Sequence, residues 1–405
     1  MKALVFRNDR ARQAATKLAG FVSPKAFVGP YAPVQLEDVT EPVPPAPDWV
    51  VCDTILSGLC GSDTKQIFLD GARDNPLTAI ISFPHVLGHE AVGRRRDTGQ
   101  RVVLNPWLSC VPRGIDPPCP ACAEGRFPQC RNFTHGLLPP SLHIGNCAGA
   151  AGTHADAFMA HEGQLFAIPD GIDDDTAVLA DPASVSLHAI LRAPPDLRRP
   201  ALVYGCGTLG LAAIALLRVL YPDVEVWAAS RSGASAELAT KLGAARVLTS
   251  SPDQLVEQVA AAIPTERLRP WSGKVWLQDG PGVVYDMVGT PETIETAMRC
   301  VETDGHVVVS GVEPPGRFEW TPLYFKELHI IGSNAFGIEN VGGVRKHAFE
   351  HYFDFVRGGL DLTPLITHRF PLARWQDAVL AVANRATTGS IKVLLEPRIP
   401  VRIPS

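Results

Sequence analysis

The stretch ALVYGCGTLGLAAIALLRVL, residues 201–220, decides how the second half of this chain is read. Ala201–Tyr204 is a short apolar run, GCGTLG follows at 205–210, and the remainder is an apolar helix candidate. Gly205, Gly207 and Gly210, with Thr208 and Leu209 among them, make a turn whose backbone N–H groups can approach a pyrophosphate at a helix N-terminus. A glycine turn alone is weak evidence, but this one has a strand before it and a helix after it. Further strand candidates follow at Val224–Ala228, Arg246–Leu248, Val283–Val288, His306–Ser310 and Leu328–Ile331, with helical stretches such as Ala234–Leu242 and Pro291–Val301 between several of them. Strands alternating with helices predict an α/β unit with a doubly wound parallel sheet.

The second of these strands ends in VWAASRSG, residues 226–233. A carboxylate there would accept from the ribose 2′-OH of NAD, whereas this chain has Ser230 and Arg231. A hydroxyl and a guanidinium suit a 2′-phosphate, and no carboxylate repels it. NADP(H) is therefore the expected coenzyme in preference to NAD(H).

Before residue 170 or so the texture differs. Short strand-like runs such as Trp49–Leu56 and Arg101–Leu104 lie among prolines and glycines, which reads as an irregular β domain. PVPPAP at 42–47 reads as a rigid connector. The last part returns to mixed character, with a helix near Arg374–Asn384 and a strand near Ile391–Leu395. A chain of 405 residues suits two domains, placed at 1–181 with 336–405, and at 182–335. The net charge of −5 gives no reason to expect nucleic acid or an anionic membrane as partner. The start MKALVFRNDR lacks a signal-peptide pattern, and the longest apolar stretch, Leu209–Leu217, is too short to span a bilayer. A soluble, cytoplasmic protein is expected.

Cys110, Cys119, Cys122 and Cys130 crowd into LSCVPRGIDPPCPACAEGRFPQC. The CxxC of Cys119 and Cys122 lets one turn present two thiolates, and the flanking cysteines lie at distances a loop can close. Four sulfurs saturate a tetrahedral zinc and leave no open position, so a structural zinc is expected here. A redox CxxC normally opens a helix after a strand, while this one sits among prolines.

GLCGSD (58–63) and PHVLGHE (84–90) are each modest signals. Together they offer the Cys60 thiolate, the His89 imidazole and the Glu90 carboxylate on glycine-flanked turns. LADPASVSLHA (179–189) adds Asp181. Three protein ligands with an open position is the pattern of a catalytic zinc. Asp181, followed by proline, has a helix cap as its alternative reading by local sequence.

These segments, the cysteine lobe and the glycine turn occur in one order along the chain. In that order the chain resembles the zinc-containing medium-chain dehydrogenases/reductases, most closely the sorbitol and threonine dehydrogenase branch. The resemblance extends through DMVGTPETIETAMRCVETDGHVVVSG (286–311) and PLITHRFPLARWQDAV (364–379). It implies a GroES-like irregular β catalytic domain plus a doubly wound Rossmann cofactor domain. It implies that Cys60 and His89 bind zinc, with Glu90 as an adjacent or exchanging ligand, and that Asp181 stands where that branch often has Glu. Asp63 would orient the His89 ring, Ser62 would pass a proton outward, and Lys392, in TTGSIKVLL (387–395), would meet the cofactor pyrophosphate. Two zinc ions per chain, a small alcohol or carbonyl substrate, and a homodimer or homotetramer are implied as well.

The sequence departs from that family at several places. Lys65 stands where many relatives carry the histidine of an outer proton relay. The segment 88–106 is short of a connector, and 265–281, TERLRPWSGKVWLQDGP, is long. His154, in AGTHADAFM, falls where a family loop borders the active site, with a surface position as the alternative. Phe68, Trp107, Phe133 and Leu138 are the candidate pocket residues. The expected activity is hydride transfer between a secondary alcohol or polyol, or its carbonyl counterpart, and NADP(H). The rival readings are a nucleotide-binding or non-redox protein on the same fold, and a zinc-free enoyl or quinone reductase. The set Cys60, Ser62, His89 and Glu90 disfavours both.

Overall fold

In the computed structural model, which describes residues 1–70, 75–231 and 233–397, Ala201–Tyr204 lies inside a six-stranded sheet. Its parallel neighbours are Val226–Ser230 on one side and Val283–Asp286 on the other. Arg246–Thr249 extends the first side, and His306–Val309 then His329–Gly332 extend the second, all in parallel. The strands around the centre are buried on both faces and accordingly read as near-continuous apolar runs. Strand order reverses beside Ala201–Tyr204, so the crevice at its carboxyl end is the topological switch point where such sheets bind ligands. The glycine turn sits there, and the helix Thr208–Leu220 that follows is buried without interruption from Gly210 to Leu217.

The other part of the chain is built on a mixed sheet. In order across it stand Ile366–Pro371, Lys392–Glu396, Trp49–Leu59, Glu90–Arg95, Arg101–Leu104 and Leu165–Ala167. Ala157–His161 also pairs with the long strand Trp49–Leu59. A smaller sheet joins Val34–Asp38, Lys2–Phe6 and His85–Val86. The core beneath is made by Leu4, Phe6, Leu59, Ile67, Leu87, Trp375, Val393 and Leu395.

The chain divides into two compact units, Met1–Asp181 with the chain from Ile366 onward, and Pro182–Leu365. The return to the first unit comes at Ile366, not at 336 as the sequence suggests. Residues after 336 stay with the second unit because Glu339, in the strand Ile338–Val341, bonds His188 at 2.7 Å, and the helix Ala348–Arg357 continues from the same hairpin. The long segment at 265–281 is a hairpin of Arg267–Leu268 and Trp276–Leu277, with Trp271 fully exposed near its tip. The short segment at 88–106 is a tight hairpin closed by the Arg95 N–H on the Gln100 carbonyl at 2.9 Å. No helix of the described residues is long and apolar enough to cross a membrane.

Candidate active site

Cys60 ends the strand Trp49–Leu59 and caps the helix Gly61–Ile67. His89 and Glu90 sit where the neighbouring strand Glu90–Arg95 begins, with Glu90 in register with Gly58. Two adjacent strands thus bring separate segments to one edge. One ligand atom each from Cys60, His89 and Glu90 lies within 4.8 Å of the others. A thiolate, an imidazole and a carboxylate at that spacing fit zinc in both chemistry and geometry.

The field around the trio favours positive charge. Burial drives the His89 imidazole toward neutrality, but the charges of Asp63 and Cys60 outweigh it and hold its pKa well above the usual value. Asp63 is fully buried, accepts from the Cys60 backbone N–H at 3.0 Å, and stands 3.5 Å from His89 Nδ1. Burial opposes its charge, yet His89 and His154 keep its pKa well below the usual carboxylate range. Lys392 Nζ is ion-paired with Glu90, and both side chains are buried. Burial works to discharge Lys392, and Glu90 and Cys60 overcome it.

Asp181 stands outside the trio. The helix Ala180–Arg192 begins one residue before it, so Asp181 lies in the first turn and not at a cap. Burial first, and then the charge of Glu90, push its pKa up to about 7. It faces the same charges as the trio, but its short side chain is not among the grouped ligand atoms.

Cys110, Cys119, Cys122 and Cys130 form the second group, their sulfurs within 4.8 Å of one another. Cys110 and Cys130 are 3.6 Å apart, beyond any disulfide. Backbone N–H groups of Cys119, Arg131 and Asn132 donate to these sulfurs at 3.3–3.5 Å, and the Asn132 side chain donates to Cys110 at 3.2 Å. Donors aimed at several sulfurs favour thiolates, as a four-sulfur metal site requires.

In the second unit, Gly205 takes φ +100°, and a Cβ on Gly210 would collide with the Gly205 carbonyl, so the turn closes only with glycine at both places. A Cβ on Gly207 would meet nothing within 4 Å, which leaves the helix N-terminus open to a phosphate. The Gly205 N–H donates to the Ala229 carbonyl at 3.1 Å, fixing the turn beside Ser230 and Arg231 at the end of the next strand. Asp286, at the end of the following parallel strand, ties the adjacent turn by accepting from Val288 and Gly289 N–H at 2.9 and 3.0 Å.

The alcohol dehydrogenase GroES-like domain model matches residues 46–170, and the zinc-binding dehydrogenase model matches residues 208–355. The chain belongs to the zinc-containing alcohol dehydrogenases. It is 28% identical over 334 residues to L-threonine 3-dehydrogenase of Photorhabdus laumondii, covering 79% of this chain and 84% of that protein. It is 26% identical over 358 residues to L-idonate 5-dehydrogenase of Vitis vinifera, covering 83% and 85%. Among solved structures, a zinc-binding dehydrogenase of Sinorhizobium meliloti bound to NADP matches with a TM-score of 0.67, 25% identity and coverage of 90% and 95%. The GroES-like and Rossmann architecture, and membership of the threonine and sorbitol dehydrogenase branch, hold for this dehydrogenase.

Of the site residues expected in the dehydrogenase from sequence, Cys60, His89 and Glu90 come together, as do the lobe cysteines and the glycine-turn residues. Ser62 is exposed at the start of the helix after Cys60, with Lys65 half-buried one turn on. Lys392 has a buried partner within its own unit. The strand Lys392–Glu396 pairs with Trp49–Leu59 so that Val393 faces Leu59, which carries the preceding lysine to Glu90. Of the pocket candidates, Phe133 packs on the cysteine lobe, Leu138 joins the core with Leu108 and Ile144, and Phe68 packs on Phe27. Only Trp107 is near the trio, edge-on to His143, whose ring lies 4.6 Å from that of His89. Burial, and then the charge at His89, depress the His143 pKa and keep its ring neutral. His143 had no motif to announce it.

Proposed function

We propose that this dehydrogenase interconverts a secondary alcohol or polyol and its carbonyl counterpart, using NADP(H) in preference to NAD(H). The observation that carries the reading is the convergence of Cys60, His89 and Glu90 within 4.8 Å. Cys60 and His89 are the proposed fixed ligands of a catalytic zinc, with Glu90 the third donor and Asp181 a buried carboxylate beside them. The lobe cysteines hold a structural zinc. A metal so held supplies Lewis acidity toward an alcohol or carbonyl oxygen, worth several kcal/mol, and the nicotinamide supplies the hydride acceptor or donor.

The remaining work falls to the chain's own residues. Asp63 holds the His89 ring by its Nδ1. Lys392 balances Glu90, so that three anionic side chains can share one buried region. The Ser62 hydroxyl, exposed two residues past Cys60, receives the substrate proton at its oxygen and hands it to solvent. Trp107 and His143 border the trio and give the site one apolar and one neutral polar wall. In the second unit the open helix N-terminus at Gly207 takes the pyrophosphate, and Ser230 with Arg231 takes the 2′-phosphate.

The alcohol class draws on the names of the relatives, threonine and idonate dehydrogenases. The coenzyme reading draws on Ser230 and Arg231 and on NADP bound in the Sinorhizobium protein. The test is a panel of secondary alcohols and polyols followed at the reduced-nicotinamide band with each coenzyme. Turnover with NADP, lost in His89→Ala, is expected. Nucleotide binding without turnover across the panel would overturn the reading.

A further inference from the structure

Asp63 has two histidine neighbours. His89 Nδ1 faces Oδ1 at 3.5 Å, and His154 Nε2 faces Oδ2 at 3.4 Å from another direction. His154 is itself fixed at its other nitrogen, where Nδ1 bonds Ser57 Oγ at 2.8 Å, and Ser57 Oγ bonds Thr153 Oγ1 at 2.8 Å. Ser57, Asp63, Thr153 and His154 are all fully buried.

The backbone locks this group in place. His154 N–H donates to the Leu87 carbonyl at 2.9 Å, and Thr153 N–H donates to the Gly88 carbonyl at 3.0 Å, so both bond the segment that ends in His89. Gly88 adopts φ +93°, and a Cβ there would lie 2.5 Å from His154 Nδ1 and 2.6 Å from Thr153 Oγ1. The turn that presents His89 is therefore shaped around His154. A proton arrangement open to the chain has Thr153 donating to Ser57, Ser57 donating to His154 Nδ1, and His154 Nε2–H pointing at Asp63, with the Glu90 carbonyl a further acceptor for Ser57 Oγ at 3.4 Å.

Serine, histidine and aspartate so linked would suggest a nucleophile in an open cleft. Here the serine meets Nδ1 and the aspartate meets Nε2, the reverse of that arrangement, and no member is accessible. The group cannot act on a substrate. It can only hold Asp63.

We propose that His154 is a positioning residue for the catalytic metal, clamping the second oxygen of Asp63 so that the first holds the His89 ring in its ligating orientation. The inference rests on Cys60, His89 and Glu90 being the metal's ligands. Partners one step out from a ligand are worth about 10–100-fold in metal affinity, and this site has two such steps in series.

The test is competitive chelator titration of zinc in the full chain, with the lobe zinc as internal reference and the visible spectrum of cobalt-substituted protein as a second readout. His154→Phe keeps the ring volume and removes both polar contacts. It is expected to weaken one zinc by about 10-fold or more and to alter the cobalt spectrum, with the lobe zinc unchanged. His154→Gln, whose amide nitrogen can still donate to Asp63, is expected to recover most of the affinity. Unchanged zinc affinity in His154→Phe overturns the inference, and so does a His154→Gln no better than His154→Phe, which marks packing alone. Should His154→Phe fail to fold, Ser57→Ala removes the anchor at Nδ1 and keeps the imidazole. A smaller loss at the same zinc supports the proposal, and wild-type affinity overturns it. Wild-type protein holding a single zinc that Cys60→Ser leaves in place would instead overturn the ligand reading itself, and this inference with it.

Discussion

Lys392 and Glu90 form an ion pair in which the side chains are only 2% and 3% exposed, 302 residues apart in the chain. Such a pair is not a source of large net stability, because both ions lose their water. It matters because removal of one partner leaves the other charged and buried. Glu90 is an anionic ligand candidate whose charge a buried lysine already balances, which leaves its hold on a metal adjustable.

Lys392→Met is expected to destabilise the protein by about 3–5 kcal/mol, the usual result of stranding one member of a buried pair. Lys392→Met combined with Glu90→Gln should recover a large part of that loss. Denaturant unfolding of the two single variants and the double variant checks this, and strict additivity would show that the two groups are not coupled.

Gly58 makes room for that pair. A Cβ at this position would overlap the Glu90 carboxylate and lie 2.8 Å from Lys392 Cε and 2.9 Å from Nζ. Gly58→Ala is expected to lower stability by about 1–3 kcal/mol and to reduce turnover. A Cβ at Gly61, on the helix after Cys60, meets nothing within 4 Å, so Gly61→Ala should unfold at the wild-type midpoint. Equal losses at the two positions would contradict the assignment.

Coenzyme choice is expected to follow residues 230 and 231. Arg231→Ala should raise the KM for NADP by about tenfold or more, the equivalent of one charge-assisted hydrogen bond, and leave that for NAD nearly unchanged. Ser230→Asp should shift preference toward NAD by supplying a ribose acceptor and repelling the 2′-phosphate. Steady-state kinetics with both coenzymes decides the matter.

Acid sensitivity should arise in part from buried neutral histidines. Burial lowers the pKa of His85 to about 4 and that of His347 to about 3. The unfolded chain takes up protons at these sites below its ordinary histidine pKa of about 6.5, while the folded chain does not. Their contribution is therefore intact above about pH 6.5 and is lost as pH falls toward the folded values, by about 3 kcal/mol for His85. His85 bonds the Ser82 carbonyl and Gln66 at 2.8 and 2.9 Å, so His85→Gln is destabilising near neutrality. Its penalty should shrink between pH 6.5 and 4 when unfolding is measured against wild type, whereas a constant penalty would mean that His85 does not titrate with unfolding.

The legible features of this chain were those written in contiguous residues. The glycine turn announces itself because Gly205 and Gly210 satisfy one local backbone requirement, and the lobe cysteines because CxxC is a complete half-site. Cys60, His89 and Glu90 needed only two short segments placed on neighbouring strands. The pairing of Lys392 with Glu90 is not legible locally because it depends on the register between Lys392–Glu396 and Trp49–Leu59, which no local pattern encodes. Asp181 has a ligand's place in the order of the motifs, but it lies in the first turn of the helix that starts at Ala180 and outside the grouped ligand atoms. The N-terminal helix Arg10–Gly20 is hidden among short strands, although Asp9 caps it by accepting from Ala11 and Arg12 N–H at 3.0 Å. His154 looked like a loop residue because its partners, Ser57 and Asp63, come from a different strand and helix.

The most direct test of the whole account is the zinc content of the purified chain beside two single variants. Two zinc ions per chain are expected in wild type, one in Cys60→Ser with the lobe filled, and one in Cys122→Ser with the trio filled. A wild-type chain with one zinc that survives Cys60→Ser, or with none, would contradict the account.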